Sequence, residues 1–180
     1  MIIEILSCSA RQNSVSRASI PDLRAAFASL GNHEVMVTDV RDLPPIWVTT
    51  TTVTAYPAEY QDLHRRVSAA DGVIFLVPIH CYTACAPAKS ISEILSTAML
   101  WKPVGFVVGC GTHRSHLAIS DLMISMIFDQ QACCYPKPVH ITRADIDDAG
   151  AVSHEIQERL VEFAKGFASF AGALRDLRRN

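Results

Sequence analysis

Two runs, residues 72–77 (Gly-Val-Ile-Phe-Leu-Val) and 103–108 (Pro-Val-Gly-Phe-Val-Val), carry no polar side chain at any position. A strand with one wet face alternates apolar and polar residues. A run that is apolar throughout is a strand covered on both faces, as in a parallel sheet inside a layered α/β protein. The rest of the chain fits that frame. Residues 2–6 are apolar except for Glu4, and residues 34–40 alternate. Helical patterns fall between these runs: 15–30, ended by Gly31; 58–70, with Tyr60, Leu63 and Val67 on one face; 87–99, with Pro87 in its first turn; and 115–128. A long connection rich in Thr and Pro spans 41–57, and a last extended segment, 132–141, is interrupted by two prolines. The final helix, 153–177, repeats Ile156, Leu160, Phe163, Phe167 and Phe170 at helical spacing.

Five strands alternating with five helices predict an α/β, flavodoxin-like three-layer sandwich with a five-stranded parallel sheet in the order 2-1-3-4-5. Nothing in residues 1–180 reads as a linker or a repeat, so one domain is expected. The net charge is −2 and the basic residues are scattered, which argues against nucleic acid, whose binding needs a concentrated basic face. The locally basic end, residues 175–180, reads as a solvated helix end. No run of about eighteen apolar residues is present to span a membrane. The first residues carry no basic region leading into a long apolar stretch, so no signal peptide is expected and the cytoplasm is the expected location. Six cysteines, Cys8, Cys81, Cys85, Cys110, Cys133 and Cys134, include no Cys-x-x-Cys pair and read as thiols in a reducing compartment. His113 and His116 stand three apart without a third ligand nearby, and no metal is expected.

In such an architecture ligands sit outside the carboxyl ends of the strands, where the loops after the first, third and fourth strands meet. The first loop, Ser7-Cys8-Ser9-Ala10-Arg11-Gln12-Asn13-Ser14-Val15-Ser16, joins a strand to a helix start. Unpaired N–H groups and the positive end of the helix dipole make such a junction an anion seat; Ser hydroxyls and Arg11 add donors. It has neither the triphosphate-binding glycine-lysine loop nor the Gly-x-Gly-x-x-Gly dinucleotide turn, and a single phosphate monoester suits it better. A plain Ser/Asn-rich capping loop accounts for the same residues. The second loop, 78–86, brings His80 and Tyr82, flat groups able to lie against a planar ring, and the third, 109–113, carries Gly109 and Gly111.

These motifs, taken in order, resemble the NAD(P)H-dependent FMN reductases of flavodoxin-like fold. The family's Gly-Ser-x-Arg-x-x-Ser is matched by Cys8-Ser9-Ala10-Arg11-Gln12-Asn13-Ser14. Its Thr-Pro-x-Tyr followed by Gly-x-Leu-Lys is matched by Val77-Pro78-Ile79-His80 and Ala86-Pro87-Ala88-Lys89, and its Lys-Pro-Val by Lys102-Pro103-Val104. Residues 109–118 look most like the branch that supplies reduced flavin to two-component sulfonate monooxygenases. The resemblance spans about residues 1–140. Cys8 stands where the family has Gly, His80 where it has Tyr and Ala86 where it has Gly. The extra Tyr that some members carry in the fourth helix has no counterpart in residues 117–128.

The resemblance implies FMN as cofactor and NAD(P)H as co-substrate, with a monooxygenase as a candidate recipient of reduced flavin. It places Ser9, Arg11, Ser14, Val15 and Ser16 at the phosphate, Pro78, Ile79, His80, Cys81 and Tyr82 along the isoalloxazine, and Cys110, Gly111 and Thr112 on its other side. The cofactor carries the hydride chemistry, so no catalytic residue is assigned. Leu117, Ile119, Leu122, Met123, Ile124, Met126, Ile127 and Phe128 cover most of the fourth helical segment, which predicts burial in the core or between subunits. A homodimer or homotetramer is the expectation. Two other readings remain at this stage. One is a quinone, azo or pathway reductase that keeps its flavin. The other is a flavodoxin-type carrier or binding domain, against which the near-neutral charge counts, since docking of redox partners favours charged surfaces.

Overall fold

The computed structural model describes residues 1–50 and 52–175. Five main strands lie parallel: β1 (Ile2–Ser7), β2 (Glu34–Asp39), β3 (Gly72–His80), β5 (Pro103–Cys110) and β7 (Val139–Thr142). Two-residue strands β4 (Thr83–Ala84) and β6 (Cys133–Cys134) attach to β3 and β5. The main order is β2-β1-β3-β5-β7, the flavodoxin-like arrangement that the sequence predicts once the two short strands are set aside.

The apolar runs occupy the centre. β3 and β5 pair from Val73↔Val104 through Pro78↔Gly109, and every residue of β5 is buried. Alternate side chains feed two cores. Val73, Phe75, Val77, Phe106 and Val108 meet α2 (Ala58–Ala69), α3 (Ala86–Ile94) and α4 (Ser120–Phe128). Ile3, Ile5, Ile74, Leu76 and Val107 meet α1 (Ile20–Ser29) and α5 (His154–Arg175), where Phe163 and Phe167 stack at 5.8 Å.

Boundaries depart from the sequence reading where local chemistry intervenes. The first helix starts at Ile20 rather than at 15, because Pro21 belongs in an α-helical first turn; a tighter turn, Arg17–Ser19, leads into it. Helices expected over 87–99 and 115–128 are likewise shorter, with 3-10 turns at Ser96–Met99 and His113–Ser115. The last extended segment divides into β6 and β7 because Pro136 and Pro138 cannot donate to a ladder. Residues 176–180, which include most of the basic end, lie outside the described residues. Among the described residues no helix is long and apolar enough to cross a membrane.

The apolar α4 is only half covered in the single chain. Leu122 and Met126 enter the core, while Ile124 and Phe128 face outward, Phe128 at 88% exposure.

Glu4, fully buried in β1, is compensated rather than isolated. Arg66 Nη1 donates to both its carboxylate oxygens at 2.6 Å, and Thr38 Oγ1 donates to Oε1 at 2.6 Å. Asp62 holds Arg66 from the solvent side at 3.0 Å. Removing one partner of a buried pair strands the other charge. Arg66→Met is therefore expected to destabilise the fold by about 3–5 kcal/mol in urea unfolding. The Glu4→Met/Arg66→Met double variant recovers most of that loss, and a double variant no better than Arg66→Met contradicts the pairing.

Candidate functional site

The carboxyl ends of the main strands open onto one edge of the sheet, and the loop after β1 crosses it. Ser14 brackets the turn that follows: its carbonyl accepts from the Ala18 N–H at 3.3 Å and its Oγ from the Arg17 N–H at 3.4 Å. The first N–H groups of a helical turn have no acceptor one turn back, and Val15 and Ser16 stand at that position here. Ser16 is fully buried, its Oγ 3.2 Å from that of Ser14. The turn sits where it does because β5 carries Gly109: a Cβ there would lie 2.8 Å from the Ser16 nitrogen, so no larger residue admits this approach.

The loop after β3 reverses within two residues. Ile79 pairs with Ala84 and His80 with Thr83, leaving Cys81 and Tyr82 at the corner with φ of 51° and 60°. Tight hairpins of this kind prefer Asn-Gly, because side chains in the left-handed region clash with their own backbone. Two residues with side chains are held there, and the first of them, Cys81, lines the cavity described next.

That cavity, of about 500 Å³, is lined by Ser9, Arg11, Asn13, Ser14, Val15, Pro78, Ile79, His80, Cys81, Gly109, Cys110, Gly111 and Arg143. Three loops separated by about seventy and thirty residues in the chain thus meet as the sequence predicts. Three of the expected residues stand back from it. Ser16 lies beneath the seat, Tyr82 points to solvent at 71% exposure, and Thr112 is exposed at the start of the turn His113–Ser115. The cavity also contains residues that the sequence reading did not assign. Asn13 lay inside the first motif without a role. Arg143 directly follows β7, and the rule that ligands gather at strand carboxyl ends would have pointed to it.

Burial, reinforced by the charge of Arg11, pushes the His80 imidazole below its ordinary pKa, so His80 is neutral at neutral pH. The polar lining is two guanidinium ions with Ser and Asn side chains, while Pro78 and Ile79 add apolar surface. A cavity of this size, mostly apolar with a few convergent polar groups, suits a small-molecule ligand. Its donor set fits a phosphate monoester joined to a flat ring.

Fold and cavity together define a flavodoxin-like nucleotide-binding protein. Its relatives agree. The chain belongs to the NADPH-dependent FMN reductase family, whose sequence model matches residues 1–144. It is an NAD(P)H-dependent FMN oxidoreductase, with FMN as cofactor and NAD(P)H as co-substrate. No curated protein sequence matches it significantly. Among solved structures it is similar to an oxidoreductase of Corynebacterium diphtheriae, at 17% identity over 96% of this chain and 97% of that one, with a TM-score of 0.76. It is similar also to FerB, a flavoenzyme NAD(P)H:(acceptor) oxidoreductase of Paracoccus denitrificans, at 16% identity over 96% and 97%, TM-score 0.77. Flavodoxin 1 of Bacillus cereus shares the fold at 11% identity over 93% and 97%, TM-score 0.60.

The thiols around the site differ in character. Burial pushes the Cys85 thiol up to about 11 and the Cys134 thiol up to about 12, and it raises Cys8 and Cys110 as well. Only the thiolate is a nucleophile. Cys81 is exposed at the cavity lip. Iodoacetamide at neutral pH is expected to modify Cys81 ahead of Cys8, Cys85, Cys110 and Cys134. Peptide mass spectrometry of the native protein checks the order.

Proposed function

We propose that this chain transfers hydride from a nicotinamide nucleotide to FMN seated in the cavity and passes the reducing equivalents to a partner monooxygenase or a small acceptor. The observation that carries this reading is one cavity whose lining combines the anion donors Ser9, Arg11, Ser14 and Arg143 with the apolar Pro78 and Ile79. Ser9, Arg11, Ser14 and the amides of Val15 and Ser16 hold the phosphate. Arg143 adds a second cation to the lining. Pro78, Ile79, His80 and Cys81 line the ring, with Tyr82 at the lip, and Cys110, Gly111 and Thr112 border its other side. Bound FMN supplies the hydride-accepting ring; the protein positions two flat rings and needs no acid or base of its own.

Two features bear on the finer assignment. The ring-side loops are open to solvent at Cys81, Tyr82, Gly111 and Thr112, which favours a flavin that exchanges. The outward side of α4, with Ile124, Ile127 and Phe128 exposed and Leu117 exposed just before it, is an apolar surface of the kind that oligomers cover, and we assign it to a homodimer or homotetramer.

Steady-state oxidation of NADPH and NADH, with and without added FMN, tests the reading. Turnover that rises and saturates with added FMN is expected. Turnover at full rate by a protein purified yellow, with no response to FMN, identifies a retained-flavin quinone or azo reductase instead. Absence of turnover under all conditions overturns the proposal. Light scattering is expected to give a mass of two or four chains, and a mass of one chain removes the oligomer.

A further inference from the structure

Beside the phosphate seat stands a guanidinium that does not line the cavity. Arg17 Nε donates to Asp39 Oδ2 at 2.8 Å and Nη2 to Asp39 Oδ1 at 3.1 Å, a two-pronged pair at the carboxyl end of β2. Nη1 donates to the carbonyls of Arg11 and Gln12, the latter at 3.1 Å, and Nη2 donates to the carbonyl of Ser9. A guanidinium has five N–H donors, and all five are used here. Both side chains are largely withdrawn from water, at 15% and 13% exposure. Arg41 holds the other side of the same carboxylate through Nε at 3.0 Å and Nη2 at 2.8 Å.

Three of the accepting groups are backbone carbonyls of the loop that crosses the cavity mouth. In a trans peptide the C=O of one residue and the N–H of the next point in opposite directions. Drawing the carbonyls of Ser9, Arg11 and Gln12 toward Arg17 therefore turns the N–H groups of Ala10, Gln12 and Asn13 away from it. A loop whose carbonyls are gathered on one side offers its amides on the other, the arrangement that makes an anion nest. Of these three residues Asn13 lines the 500 Å³ cavity, beside Ser9 and Arg11, whereas Gln12 and Arg17 line its neighbour.

We infer that Arg17, held by Asp39, is a positioning residue that sets the preference for FMN over unphosphorylated riboflavin by fixing the amides of the first loop, without touching the flavin. This rests on the reading that the seat takes the flavin phosphate. The alternative is that Arg17 acts as a distant positive charge. Asp39 offsets part of that charge but is shared with Arg41, so the Asp39→Asn variant below separates the two accounts.

The test is fluorescence-quenching titration with FMN and, separately, with riboflavin, on wild type, Arg17→Met, Arg17→Lys and Asp39→Asn. Wild type is expected to prefer FMN. Arg17→Met lowers FMN affinity about tenfold or more, a change of about 1.4 kcal/mol, while riboflavin affinity moves less than about twofold. Arg17→Lys falls between, since an ammonium has three donors in place of five. Asp39→Asn leaves Arg17 charged but loose. It weakens FMN if Arg17 works by holding the loop and tightens FMN if Arg17 works by charge.

Equal loss for both flavins, no loss for either, or tighter FMN in Asp39→Asn each overturns the inference. Wild type that binds neither flavin overturns the flavin reading itself, and this inference with it. Thermal unfolding of each variant confirms that the comparison is between folded proteins. Should Arg17→Met not fold, Arg17→Lys and Asp39→Asn carry the same comparison.

Discussion

The pairing of β3 with β5, two strands buried on both faces, is the constraint on which the rest of the molecule depends. Over residues 72–78 and 103–109 neither strand has a polar side chain to offer water, so each must be flanked by other strands and sandwiched by helices. Their parallel course puts the exits of both on one edge of the sheet. β1, paired to β3 from Ile3↔Gly72 to Ser7↔Leu76, brings its own exit to the same edge. The functional cavity is thus a consequence of strand direction before any particular side chain is considered. The close approach of Ser16 to Gly109 then fixes the distance between the first and third loops, because the missing Cβ is what lets the first turn rest on the end of β5.

Within that cleft the division of labour follows from how each group meets water. Phosphate recognition can rest on backbone amides and exposed cations, because neither requires burying an unpaired charge. The guanidinium groups that are withdrawn from water, Arg17 and Arg66, each have a carboxylate partner and work on the protein rather than on a ligand. Burial alone would raise the Asp39 carboxyl, but hydrogen bonds from Arg41 and Arg17 outweigh it and hold the group below the usual carboxylate range. Asp39 is therefore ionised at neutral pH, where the ion pair behind the first loop is formed.

Strand order and the meeting of three loops were legible in the sequence because they rest on hydrophobic patterning, which is dense in this chain. Helix starts were less so: the pattern over 15–30 is apolar at helical spacing well before Pro21 sets the true first turn. Inside the first motif, residue types identified Ser9, Arg11 and Ser14 as cavity-lining, but Arg17 reads in sequence as one more polar residue on a helix face. Its importance depends on Asp39, which is distant in the chain and brought near by the β1–β2 pairing. Arg143 could have been found from the strand-end rule, since it directly follows the last strand, and its place at the cavity follows from β7 lying beside β5. The expected burial of α4 was argued for a helix apolar all round, and a single chain supplies a partner for only one side of it.

The hairpin after β3 shows where local preference gives way to the site. Asn-Gly at its corner would relieve a cost of about 1–2 kcal/mol per residue in the left-handed region. The chain keeps Cys81 and Tyr82 there instead, and the strain is tolerated because the ladder on either side, Ile79↔Ala84 and His80↔Thr83, together with the Cys85 N–H donated to the Pro78 carbonyl at 3.1 Å, fixes both ends of the turn. Strained backbone that the surroundings hold in place is characteristic of functional loops. Here the effect is directional. A two-residue corner leaves no slack between β3 and α3, so His80 and Cys81 stay at the cavity wall, and the ring-side contour is set by the fold rather than by the ligand. The first loop is fixed by a different device, a guanidinium gathering carbonyls. The two walls of the site are therefore held by independent sets of contacts, and a change in one need not loosen the other.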